Sequence, residues 1–407
     1  MKSVTSLAIV ALVLATACIP IHHRLTVAGV FRHPRRAAVS NLVRIADTVH
    51  CEDLHFYEPA NLLFTACEDI KTTRFKWFPP LAIFDEPLTA RGSIHVIEPE
   101  AKSTRLEFEN FSGPFSTHGI DVIADPDREE AVYIFAVNHQ ANAETEEGIP
   151  KASSQIELFH HVLGTTRVRH VRSMRHESIT TPNDIYAWTP SSFLVTNDHF
   201  YRDGAMRTVE DVVTACRWTN IIHVQIEEMH SLDATGGIRA TEALRGLHNN
   251  NGLGHGAGDE EVLVSDSGGG VFYRAVLEKP ETSTTGVRIR LVESIRMDSS
   301  IDNPTYYRDP YGTNASGYIL AGLSRSVDLA RSSRDPSATE PVMVWYLRRG
   351  DAGWDKHLIF EDDGSTIRSA ATAVLVPRAG AVDGRQAWLF VTGFLSESIV
   401  AVSVDLL

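Results

Sequence analysis

The sequence predicts an all-β fold, a six-bladed β-propeller with a few short helices at the channel mouth. Three observations carry this expectation. Short apolar and β-branched runs that end in small or polar residues recur, with starts at 62, 132, 193, 262, 318 and 388. Their spacing of 56 to 70 residues suits a four-stranded blade plus loops, and strand clusters at a long period mark a repeat architecture. Most runs are followed by alternating strands, such as 156–159 with 168–171, and later 222–226, 287–291 and 342–346. Helix signals are scarce. The best spans 208–218, where Val209, Val212, Val213 and Cys216 fall on one face. An irregular β-sandwich or two unrelated β domains are the weaker alternatives, because the repeat keeps its phase from near one end of the chain to the other.

Composition narrows the class. The chain has 407 residues, 43% hydrophobic and 22% charged, which favours a packed core over disorder. Its formal charge of −14 argues against nucleic acid, which recruits clustered Lys and Arg. Residues 1–19 carry Lys2, an apolar run over 7–13 and Ala15-Thr16-Ala17. That is the layout of a secretory signal, too short for a membrane span of about 20 residues. A retained hydrophobic anchor with weak lipid association is the other reading. The chain then divides into 1–19, an N-terminal extension over 20–45, and the propeller over 46–407. Two sequons, Asn110-Phe111-Ser112 and Asn314-Ala315-Ser316, agree with a secreted or extracytoplasmic glycoprotein.

Cysteine usage points the same way. Cys51 and Cys67 flank a hairpin pattern, 50–57 and 62–66, that turns between Pro59 and Ala60. Cross-strand partners should then have residue numbers summing to about 119, a condition this pair meets within one. A disulfide is expected in an oxidising compartment, leaving Cys216 as a buried free thiol.

Candidate ligands are scattered. Glu52-Asp53 is read onto the first strand, with Asn183-Asp184 and Asp302-Asn303 in or beside later apolar runs. Asn249-Asn250-Asn251-Gly252 reads as a left-handed turn that adds further oxygens. Carboxylates and carboxamides are hard oxygen donors of the kind calcium collects, and a propeller brings strand ends from different blades to one axis. Taken alone, Asn183-Asp184 and Asp302-Asn303 are more often turns than ligand pairs, and the alternative for Glu52-Asp53 is a solvated acidic edge. Among 18 histidines, His118 and His139 are the best proton-handling pair, since imidazole titrates near neutrality. Asn197-Asp198-His199 is a further candidate for the channel mouth. No Gly-x-Ser-x-Gly elbow, P-loop or dinucleotide fingerprint occurs.

Taken in order, Cys51-Glu52-Asp53-Leu54, His118-Gly119-Ile120, Val137-Asn138-His139, Asn183-Asp184-Ile185, Thr196-Asn197-Asp198-His199, Asn251-Gly252 and Ile301-Asp302-Asn303 resemble the paraoxonase/arylesterase family. The resemblance covers roughly residues 50–320. It implies a propeller holding two calcium ions. The catalytic ion would be held by Glu52, Asn183, Asn251, Asp302 and Asn303, and the structural ion by Asp53, Asp184 and the Ile120 carbonyl. His118 and His139 match the family's histidine dyad. The implied activity is calcium-dependent hydrolysis of lactones and aryl esters, promiscuous toward organophosphates. Departures exist: the family's disulfide between the first and last strands cannot form, because no cysteine follows Cys216, and a histidine often found near 321–324 is absent. Residues 141–150 form an insertion expected at the pocket rim. The rival readings are a secreted ligand-binding propeller with purely structural calcium, and a propeller enzyme that works without metal.

Overall fold

A computed structural model describes residues 20–406 except 37–40, 87–90, 144, 145, 147, 280–285 and 379–385. The leader over 1–19 lies outside the described residues. Six sheets form the six blades of a β-propeller. Blade 1 runs Leu54–Tyr57, Leu62–Cys67, Ser93–Ile97 and Ser103–Arg105 from the axis outward. Blade 2 comprises Thr117–Ala124, Ala131–Ala141, Ala152–Val162 and Arg167–Met174, with Glu107–Glu109 added in parallel outside. Blades 3, 4 and 5 begin with Pro182–Thr189, Asn250–His255 and Pro304–Tyr307, and blade 6 begins with Ala370–Pro377. These six first strands touch one another around the ring. The six apolar runs read from the sequence are the second strands, which explains their uniform burial: they are covered on both faces by neighbouring blades.

Blade 6 closes the ring. Its outer strand is Leu42–Arg44, paired antiparallel with Val400–Asp405, so Leu42 faces Val402. These three residues, assigned to the extension from sequence, belong to the propeller; a strand that short is too brief to show alternation. The blade 1 hairpin has the expected register, with Leu54 opposite Thr65 and Tyr57 opposite Leu62. Cys51 and Cys67 are bonded, and Cys216 is free and buried.

Three local expectations need correction. Glu52 and Asp53 stand immediately before the first strand, which starts at Leu54. Asn250–His255 is a strand rather than a left-handed turn, and none of Asn249–Asn251 has positive φ. The helix is Ala205–Val212, and its inward residues are Arg207 and Glu210, while Val209 and Val212 are exposed. The polar pair faces in because the adjoining loops leave backbone groups to satisfy. Arg207 donates to the carbonyls of Tyr201, Arg202 and Pro80, and Glu210 accepts from the amides of Phe200 and Tyr201.

Candidate active site and metal centre

The blade geometry delivers the scattered candidates to one end of the channel. Neighbouring inner strands approach too closely for side chains at two points. A Cβ on Gly119 would stand 2.6 Å from the Asn183 carbonyl oxygen, and one on Gly252 would stand 2.5 Å from the Asn303 Cα. Glycine therefore lets blade 2 meet blade 3, and blade 4 meet blade 5, where the polar residues converge. Asn303 Nδ2 donates to Glu52 Oε1 at 2.9 Å, across 251 residues of sequence. His118 Nε2 lies 3.9 Å from the same Glu52 oxygen. Asp53 Oδ2 accepts the Ile120 amide at 2.9 Å, and Asp184 Oδ2 accepts the Leu253 amide at 2.7 Å.

The oxygens of this cluster are short of partners. Glu52 Oε2 and the Oδ1 atoms of Asn183, Asn251, Asp302 and Asn303 are buried and accept no hydrogen bond. Buried polar atoms are nearly always satisfied, so five together in one place demand an explanation. Their charge is equally unbalanced. Burial, then the charges of Asp302 and Asp53, push the Glu52 carboxyl well above its ordinary range. Burial, then Asp53 and Asp198, do the same to Asp302; burial, then Asp53 and Glu52, raise Asp184. An oxygen-only donor set with surplus negative charge suits a hard divalent cation. Asp53 and Asp184 are better satisfied. Asp53 accepts from Leu54, Thr372 and Ile120, and Asp184 from Ile185 and Leu253. A carboxylate offers about four acceptor sites, so each keeps capacity for at least one more partner.

The two histidines form a chain. His139 Nε2 and His118 Nδ1 are 3.1 Å apart, and His139 Nδ1 meets Ser154 Oγ at 2.9 Å. Trp77 Nε1 donates to the His139 carbonyl at 2.8 Å, fixing that strand from above. Phe78 lies edge-on to both rings, with centroids 5.2 Å from His118 and 6.3 Å from His139. Burial, then His139 and Arg74, hold the His118 pKa far below its usual value; burial lowers His139 to about 3. Both shifts favour the neutral imidazole, which leaves a nitrogen lone pair free while making each ring a weaker base. The described part of the 141–150 insertion borders a cavity beside Trp77. Asn142, Ile149 and Pro150 line a cavity of about 690 Å³ with Trp77, Phe84 and Tyr201.

Asp198 lies beside Asn183, with its Oδ2 3.5 Å from Asn183 Nδ2, and it pairs with His199 at 3.0 Å. Sequence reasoning missed several other residues. Thr372 Oγ1 donates to Asp53 at 2.7 Å and also accepts Asn303 Nδ2 at 3.0 Å. Arg74 is fully buried, donates to Glu68 and the Thr117 carbonyl, and stacks on Phe78 at 4.4 Å. Neither has a motif. A third group, His55, Asp121 and His255, sits lower on the inner strands, three or four residues after Glu52, His118 and Asn251. That offset along strands already singled out was the available signal.

The arylesterase family model matches residues 92–253. By sequence, residues 92–253 are similar to the paraoxonase/arylesterase family. Serum paraoxonase/arylesterase 2 of Gallus gallus is 27% identical over 169 residues, covering 42% of this chain and 41% of that protein. Serum paraoxonase/arylesterase 1 of Mus musculus is 32% identical over 109 residues, 27% of each chain. Serum paraoxonase/lactonase 3 of Oryctolagus cuniculus is 25% identical over 297 residues, 71% of this chain and 72% of the other. The chain thus spans about two-fifths of the length of the chicken protein it matches. Among solved structures, a luciferin-regenerating enzyme aligns with TM-score 0.47 and 10% identity, over 90% of this chain and 97% of that one. The paraoxonase/arylesterase match holds His118, Ile120, His139, Asn183, Asp184 and Asn251 within its bounds, with Glu52, Asp53, Asp302 and Asn303 outside them.

Proposed function

We propose that this chain is a calcium-dependent hydrolase of lactones and aryl esters, with promiscuous action on organophosphates at the same site. One observation carries the reading: five buried, unpartnered oxygens from Glu52, Asn183, Asn251, Asp302 and Asn303 at one end of the channel. These residues would hold the catalytic ion. Asp53, Asp184 and the Ile120 carbonyl would hold a second, structural one. A bound calcium ion supplies Lewis acidity toward an ester or lactone carbonyl and charge stabilisation for the developing oxyanion.

The chain's own residues do the rest. His118 takes the proton of the attacking water, and His139 holds the ring through the 3.1 Å contact. Ser154 fixes the His139 ring at its other nitrogen. Phe78 and Trp77 wall the dyad from bulk water, which strengthens electrostatic interactions inside. The cavity lined by Trp77, Phe84 and Tyr201, next to the dyad through the Trp77 bond to the His139 carbonyl, is the proposed substrate entry, and a small ester or lactone is the proposed partner.

The Cys51–Cys67 disulfide, two exposed sequon asparagines, Asn110 and Asn314, and the serum proteins among the relatives support a secreted product. Among the described residues no helix is long and apolar enough to cross a membrane. The deciding experiment assays a panel of lactones and aryl esters with and without EDTA, then restores calcium. Activity that vanishes with the metal and returns with it is expected. Bound calcium without turnover of any substrate would instead make this a ligand-binding propeller, and metal-free turnover would end the calcium reading.

A further inference from the structure

Below the oxygen cluster the channel widens into a cavity of about 470 Å³, lined by Asp53, His55, Asp121, His255, Tyr306 and Arg308 among others. His55 comes from blade 1, Asp121 from blade 2 and His255 from blade 4. Asp121 holds both rings: His55 Nδ1 lies 2.6 Å from Oδ1, and His255 Nε2 lies 2.7 Å from Oδ2. The three ligand-capable atoms all fall within 4.8 Å of one another.

We infer that this trio is a further metal site, distinct from both calcium positions, selective for a zinc-type divalent ion, and independent of the hydrolase reading above. The donor set argues first. Two imidazole nitrogens and one carboxylate form a borderline set that prefers zinc and its neighbours, whereas the upper cluster is all oxygen and suits calcium. Geometry argues second. Zinc bonds of about 2.0–2.2 Å in a tetrahedral arrangement place ligand atoms roughly 3.3 Å apart. The contacts of 2.6 and 2.7 Å are shorter than that value and run to the two different Asp121 oxygens, and all three ligand atoms lie within 4.8 Å of one another, so side-chain shifts that replace the two hydrogen bonds by metal bonds would assemble the site.

Support around the ligands argues third. The Val122 amide donates to Asp121 Oδ1 at 2.9 Å, and the Ala187 amide donates to Oδ2 at 2.6 Å. Tyr186 stacks on His255 with centroids 4.1 Å apart, and His55 stands edge-on to His255 at 5.8 Å. Such outer contacts orient metal ligands before the ion arrives. Three protein ligands leave a coordination position open toward the cavity, the arrangement in which zinc keeps a water.

The test uses full-chain protein saturated with calcium. Zinc chloride is titrated by calorimetry, and cobalt(II) is added in parallel to follow its visible absorption. One tight zinc equivalent is expected, with cobalt bands of four-coordinate intensity. H55A and H255A should each weaken zinc binding by about 100-fold or more, since losing a ligand exceeds the 10–100-fold cost of losing an outer partner. Their calcium content and circular dichroism should match the parent, and zinc should raise the melting temperature of the parent but not of these two variants. H118Q should bind zinc as the parent does. No tight zinc in the parent, unchanged affinity in both H55A and H255A, or loss of zinc in H118Q would each overturn the assignment.

Discussion

Asp302 presents an unpartnered buried oxygen to a neighbourhood already crowded with carboxylates, and this gives its replacement two opposite effects. With calcium present, D302N should lower activity at least about 100-fold and reduce metal content and melting temperature. In EDTA the same change removes a buried like charge, so D302N should be more stable than the parent by about 1–3 kcal/mol. Melting curves in both buffers check the reversal. H118Q should reduce turnover by about 10²–10⁴-fold, the usual span for a proton-transfer group, with calcium content intact by elemental analysis. Away from the site, His95 is buried between Ser93 Oγ and Ser103 Oγ, each at 2.9 Å. Burial, then the Arg105 charge, lowers its pKa to about 4. The folded state therefore binds fewer protons than the unfolded one, and stability that is full above pH 6.5 is lost as pH falls toward 4. H95N should flatten that slope by up to about 1.4 kcal/mol per pH unit, measured by urea unfolding across the range. At this scale, residues with a motif were legible in the sequence; Thr372, Arg74 and the lower histidines carry their roles only through neighbours from other blades.

Elements were legible where local chemistry settles them. The blade 1 hairpin follows from its turn, which sets the register that pairs Leu54 with Thr65, and the same register brings Cys51 beside Cys67. That bond closes a loop of 16 residues in sequence separation, so replacing both cysteines by serine should cost about 3 kcal/mol. Cys51 directly precedes Glu52, and the double variant should need more calcium for half-maximal activity, read from calcium titrations. The helix Ala205–Val212 shows the opposite case. Its amphipathic pattern reveals which side is apolar, yet Arg207 and Glu210 are the buried residues. Nothing local announces that a loop amide or the Pro80 carbonyl awaits them. Likewise Asn250 and Asn251 have turn chemistry by composition, and only pairing of Asn250 with Asp266 makes that segment a strand.

The number of blades follows from the period of the second strands, while ring closure depends on contacts between chain ends that no local pattern encodes. Ile45 is fully buried and donates its amide to the Ile399 carbonyl, beside the Leu42–Arg44 pairing. A chain beginning at residue 46 should be less stable than one beginning at residue 41 by at least about 2 kcal/mol, the burial of one large aliphatic side chain. Chemical denaturation of the two truncated proteins gives the difference directly. Closure also reaches the upper cluster. The Glu52 carbonyl accepts the Thr392 hydroxyl, 340 residues later, and Thr372, 319 residues after Asp53, donates to the Asp53 carboxylate beside it. During synthesis on the ribosome, Glu52 and Asp53 emerge long before the threonines that anchor them. A truncated or proteolytically clipped product lacking blade 6 would keep most of the cage's side chains but not their alignment, so retention of the ion could serve as a readout of full-length manufacture.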